Sequence, residues 1–103
     1  MIVMGNKKVA AKGSGNVLKE LKKPIEELNR DPGIRRVNPG KSFNRGGDSY
    51  RGMRIGNYDP VFHSLKISCY TDSGGQELYL IVPASEVERV KRYVMELSQK
   101  YFR

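Results

Sequence analysis

From Leu65 to Val82 the chain alternates between apolar and polar residues with a period of two. Leu65, Ile67 and Cys69 fall on one face of a first strand, and Leu78, Leu80 and Val82 on one face of a second. The short Thr71–Gly75 stretch between them carries two glycines, so the pair predicts a β-hairpin. That alternation sends Lys66, Ser68 and Tyr70, with Glu77, Tyr79 and Ile81, to the opposite face. After Pro83-Ala84 the period changes: Val87, Val90, Val94, Leu97 and Tyr101 form one helical stripe. Ser85 with Glu88 three residues on has the spacing of a capping box. Upstream, Val17, Leu18, Leu21, Ile25 and Leu28 also follow helical spacing, with Asn16 placed to cap. Pro24 either kinks this helix or begins a new turn, and Asp31-Pro32-Gly33 ends it. Ile34–Val37 and Arg51–Ile55 read as short strands around a loop at Phe43–Ser49. A weaker hairpin is expected from Ile2–Met4 through Gly5-Asn6 into Lys7–Ala11.

These elements predict an α+β fold. A small antiparallel sheet of three to five strands carries an N-terminal and a C-terminal helix on one face. A chain of 103 residues suffices for one domain with one modest core.

Charge divides the chain in two. Met1–Asn57 holds thirteen Lys/Arg against five Asp/Glu, whereas Tyr58–Arg103 is balanced at six and six. The whole net charge of +8 thus lies in the first half. Gly33–Gly56 gathers six basic residues, six glycines, Phe43 and Tyr50 around one acid, Asp48. Residues 33–57 therefore read as a flexible basic Gly/Arg-rich arm attached to a neutral scaffold. A basic half of this kind points to a polyanionic partner, most often nucleic acid. The single cysteine, Cys69, excludes an intrachain disulfide and fits a reducing compartment. The opening apolar run, Met1–Met4, is too short for a signal-peptide core. No apolar run approaches membrane-spanning length. A cytoplasmic protein without a membrane partner is the expectation.

Catalytic motifs are weak. Gly40-Lys41-Ser42 has the end of a phosphate-binding loop, but Arg35 stands where its first glycine belongs. His63 could serve as a general acid or base beside Asp59 or Cys69. One histidine and one cysteine do not make a metal site. The candidate binding residues are Arg35, Arg36, Lys41, Arg45, Arg51 and Arg54, for phosphates, with Tyr50 among them. Lys66, Tyr70 and Tyr79 form a second group on the non-core face of the hairpin, where tyrosines can stack on unpaired bases.

Two resemblances add to this reading. Lys19–Asn29 (KELKKPIEELN) followed by Tyr50–Tyr58 (YRGMRIGNY) resembles the RelE/ParE toxins, small basic proteins with a helix pair and a Tyr-Arg-rich strand. RelE members cut messenger RNA on the ribosome with Arg, Lys and Tyr side chains, which would give Arg51 and Arg54 that role here. Asp59-Pro60 stands where that family usually carries another arginine. Gly33-Ile34-Arg35, Val37, Pro39-Gly40, Leu65-Lys66 and Gly75–Tyr79 resemble an uncharacterised microbial family described as predicted metal-binding. The histidines such binding would need are absent, so no metal is implied. The helix–strands–helix order is also similar to double-stranded-RNA-binding domains, without their basic helix motif.

The expectation is a nucleic-acid-binding protein, for DNA or RNA, without cofactor or catalysis. A ribosome-directed RNA-cleaving toxin and an adaptor or inhibitor for an acidic protein partner are the alternatives. A homodimer is compatible with the sequence.

Overall fold

The computed structural model describes residues 17–47 and 49–102. The N-terminal hairpin and the Asn16 cap expected from the sequence lie outside them, as does Asp48. Four strands form one antiparallel sheet: β1 (Arg36–Phe43), β2 (Gly52–Asp59), β3 (Ser64–Thr71) and β4 (Gly74–Ile81). Their order across the sheet is β1-β4-β3-β2. Helix α1 (Lys22–Arg30) precedes the sheet and α2 (Val87–Phe102) follows it, each entered through a short 3-10 turn. The α+β architecture expected from the sequence is present.

The β3–β4 hairpin forms in the register that its alternation demands. Leu65 pairs with Leu80, and Ile67 with Leu78. β2 adds Met53 opposite Cys69 and Ile55 opposite Ile67, and β1 adds Val37 opposite Leu80. These residues share one face, and most of them are fully buried in a single cluster with Leu21, Leu28, Val90, Val94 and Leu97. Both helices therefore lie on the same side, α1 against β1 and α2 against β2. The buried Ser98 hydroxyl accepts the backbone N–H of Met53 at 3.0 Å, fixing α2 to the edge strand.

Two details depart from the sequence reading, and a third decides between its two alternatives for Pro24. The 33–57 segment is laid out mainly as β1 and β2, the two edge strands, with residues 44–47 and 49–51 between them. Residues that look unstructured in isolation find partners on a strong central hairpin, which supplies both templates. Ser85 and Glu88 do not form a capping box: the chain enters α2 through Ala84–Glu86 from Pro83 without a side-chain cap. Glu88 pairs instead with Lys91, one turn on, at 3.5 Å. Pro24 sits in the first turn of α1, where its missing N–H costs nothing, so the helix is intact.

β1 carries a register irregularity between Pro39 and Ser42. Pro39 is tolerated because β1 is an edge strand. Buried Gln76 secures the irregularity by donating to the Gly40 carbonyl at 2.7 Å and accepting from the Ser42 hydroxyl at 3.0 Å.

The helices are tied to each other by carboxylates on and just after α1. Asp31 receives two bonds from the Arg89 guanidinium, at 3.0 and 2.8 Å. Glu27 receives Lys100 at 2.7 Å and the hydroxyls of Tyr93 and Tyr101. Arg89 and the Gly33 N–H hold the Asp31 carboxyl below its ordinary value, and Lys100 with Tyr101 does the same for Glu27.

Two outcomes are expected. Leu80→Ala removes a fully buried side chain and costs about 2–4 kcal/mol in denaturant unfolding. Because Asp31 and Glu27 have lowered folded-state pKa values, their contribution is present above the ordinary values of 3.8 and 4.5. It is lost as the pH falls through the lowered ones. Urea midpoints should decline across that acid range, and less steeply in Asp31→Asn.

Candidate functional site

With both helices on one side, no described helix covers the other face of the sheet. The register assigns its rows. Phe43, Gly75, Tyr70 and Gly52 form one; Glu77, Ser68 and Arg54 the next; Asn38, Tyr79 and Lys66 the third; Arg36, Ile81, Ser64 and Asp59 the last. Aromatic and cationic groups thus run from one end of the face to the other.

At one end three rings meet. Phe43 and Tyr70 stand edge-to-face with centroids 5.4 Å apart, and Tyr50 and Tyr70 likewise at 5.5 Å. The Arg54 guanidinium lies over the Tyr50 ring at 4.3 Å and within 5.1 Å of the Tyr70 ring. Such cation–π contacts hold an arginine in place while leaving its N–H groups directed outward. Gly75 makes the arrangement possible. A side chain there would meet the Phe43 ring at 2.1 Å, so the ring lies directly on the backbone.

At the other end, Tyr79 packs on Gly40, where a side chain would come within 2.5 Å of the ring. The Tyr79 hydroxyl donates to Glu77 at 3.0 Å, and Lys66 pairs with the same carboxylate at 3.3 Å. Burial pushes the Glu77 carboxyl up, but the Tyr79 and Lys66 hydrogen bonds outweigh it, and the group stays below its ordinary value. Glu77 therefore remains an acceptor, and its hydrogen bond holds Tyr79 in the phenol form.

The expected site residues divide by location. Arg36, Arg54, Lys66, Tyr70 and Tyr79 belong to the open face, and Tyr50 is packed against it. Lys41 is exposed on β1 beside them. Arg45 and Arg51 turn to the β3–β4 turn: Arg45 donates to the Thr71 carbonyl at 2.7 Å, and Arg51 pairs with Asp72 at 3.1 Å. These two anchor the loop to the turn. Arg35 immediately precedes β1, its backbone N–H donating to the Ile81 carbonyl at 2.8 Å, and it lines a shallow pocket with His63, Ile81 and Pro83.

His63 and Cys69 do not come together. His63 is exposed in the β2–β3 turn, whereas Cys69 is buried on the core face and its thiol is pushed up to about 12 by burial. The Asp59 carboxylate is occupied by the Val61 N–H at 2.9 Å. Among the described residues no three His, Cys, Asp or Glu side chains cluster to hold a metal, and no helix is long and apolar enough to cross a membrane.

Sequence reasoning placed Glu77 on this face but missed Phe43, which β1 sets opposite Gly75, and Phe62, which lines a groove there with Tyr79 and Lys66. The available signal was Gly75, a strand glycine that leaves room for something large across the ladder. Comparison with protein-family models, with curated proteins and with solved structures finds no match for this chain.

Gly75→Ala should drive Phe43 off its floor. Because the ring can swing toward solvent, the stability cost should stay near 1 kcal/mol, at the low end for overpacking. The Tyr70 ring resonances should shift clearly in NMR spectra.

Proposed function

We propose that this protein binds single-stranded nucleic acid on the open face of its sheet. The observation that carries the reading is Arg54 held over Tyr50 and Tyr70 on a face that no described helix covers. An unpaired base offers a π-face to an aromatic ring, and an arginine beside that ring meets the adjoining phosphate. Tyr70 and Tyr79 sit four residues apart in register, about 13 Å at the rise of a strand. That span suits a short stretch of extended strand crossing the sheet. Arg36, Lys41, Arg54 and Lys66 supply the cations along this route, and the first-half charge excess adds a long-range attraction. Glu77 sits among them as a fixed acceptor, which is more useful against base amino groups than against phosphate.

This reading assigns the chain a binding role, in which no bond is made or broken. Arg45 and Arg51 take a supporting part, since their contacts with the β3–β4 turn hold the loop that carries Tyr50.

Fluorescence anisotropy with oligo-U and oligo-dT tests it. Binding should weaken with salt at a slope of about −0.7 per phosphate neutralised, so four cations give a slope near −3. Arg54→Ala should flatten the slope and weaken binding. Tyr70→Ala should weaken binding by about 1–3 kcal/mol without changing the slope. Absence of binding at low salt, or Arg54→Ala and Tyr70→Ala both behaving like the wild type, would overturn the proposal.

A further inference from the structure

Phe62 stands 71% exposed in the turn between β2 and β3, beside Val61 at 76%. A singly exposed apolar residue is ordinary on a protein surface, but Phe62 borders a groove shared with Tyr79 and Lys66. The turn is held firmly: the Asp59 carboxylate accepts the Val61 N–H, and His63 adopts a left-handed φ of 55°. Its backbone carbonyl accepts the Val82 N–H at 2.8 Å, which ties the end of the turn to the sheet. Phe62 is therefore presented from a fixed turn.

The ring does not stand alone. It lines a groove on the open face together with Tyr79, Ser64, Lys66, Asn57 and Asp59. Two aromatic side chains border the groove. An ammonium, a carboxamide and a carboxylate provide donors and acceptors at its rim. Tyr79 is fixed by its bond to Glu77, so one stacking surface is already ordered before anything binds.

We propose that this groove is a nucleobase slot: one unpaired base enters it and stacks on Phe62 and Tyr79, with its phosphate near Lys66. The inference rests on the single-strand reading above and names a second contact station, at the end of the sheet opposite the Arg54–Tyr50–Tyr70 cluster. The chemistry favours a base over a peptide side chain. The walls are flat rings, the rim is polar with both donors and acceptors, and a cation stands where the strand's phosphate would pass. An aliphatic or acidic peptide would use either the rings or Lys66 but leave the other unmatched.

The test compares the wild type with Phe62→Ala and Phe62→Trp. Phe62 is so exposed that its removal leaves the core intact, and thermal unfolding verifies this. Oligo-U and oligo-dT binding is measured by anisotropy as a function of salt. Phe62→Ala should bind roughly 5- to 150-fold more weakly, the range for one base–aromatic stack, with an unchanged salt slope. Phe62→Trp should restore or exceed wild-type affinity. A probe carrying an abasic site at the slotted position should bind the wild type more weakly and be insensitive to Phe62→Ala.

If Phe62→Ala binds like the wild type while Tyr70→Ala is weakened, the slot is overturned and the sheet-face reading stands. If the wild type binds neither probe at low salt, both fall. If Phe62→Ala flattens the salt slope instead, the residue shapes the phosphate route and the slot is again overturned.

Discussion

Leu65, Ile67 and Cys69 on β3, facing Leu78 and Leu80 on β4, put the fully buried apolar side chains of the central hairpin on one side. Burying that side is the condition on which the rest of the molecule depends. The described residues supply two amphipathic helices for it, and both are used there, one over each edge strand. Nothing of comparable size among the described residues remains for the other side. On that face the rings are packed on glycine backbone and braced by charged groups.

The braces matter as much as the rings. Tyr79 is oriented by Glu77, which Lys66 in turn neutralises; Tyr50 and Tyr70 are oriented by each other, by Phe43 and by Arg54. Under the proposed function, ordering these side chains beforehand would lower the entropy lost on binding. The loop that carries Tyr50 is secured by Arg45 and Arg51 at the β3–β4 turn. On the far side of the sheet, Asp31 and Glu27 lock α1 to α2. The basic first half and the neutral second half are thus connected by specific ion pairs.

Much of this was legible from local pattern. The period of two between Leu65 and Val82 placed the hairpin, its core face and the outward direction of Tyr70 and Tyr79. The stripe from Val87 to Leu97 placed α2. What local pattern could not reach was long-range pairing. Residues 36–43 and 52–59 lack the strong alternation of a self-sufficient strand: the expected strands at 34–37 and 51–55 cover only their beginnings, and pairing with β4 and β3 carries them further. Arg45 and Arg51 are indistinguishable in sequence from Arg36 and Arg54, and only the fold brings Asp72 to them. Phe43 reads as a loop aromatic until the register sets it on Gly75. The failed capping box has a similar cause, since Pro83 directs the chain into a 3-10 turn and leaves Ser85 outside the helix proper.

The central claim is that the sheet face opposite the two helices receives a single strand. Amide and side-chain chemical-shift mapping by NMR during titration with a short oligo-U tests it most directly. Shifts should concentrate at Arg36, Arg54, Tyr70 and Tyr79 and leave Lys22, Glu26, Arg92 and Gln99 on the helices unchanged. Shifts confined to the helices, or a spectrum unchanged at saturating oligonucleotide, would contradict it.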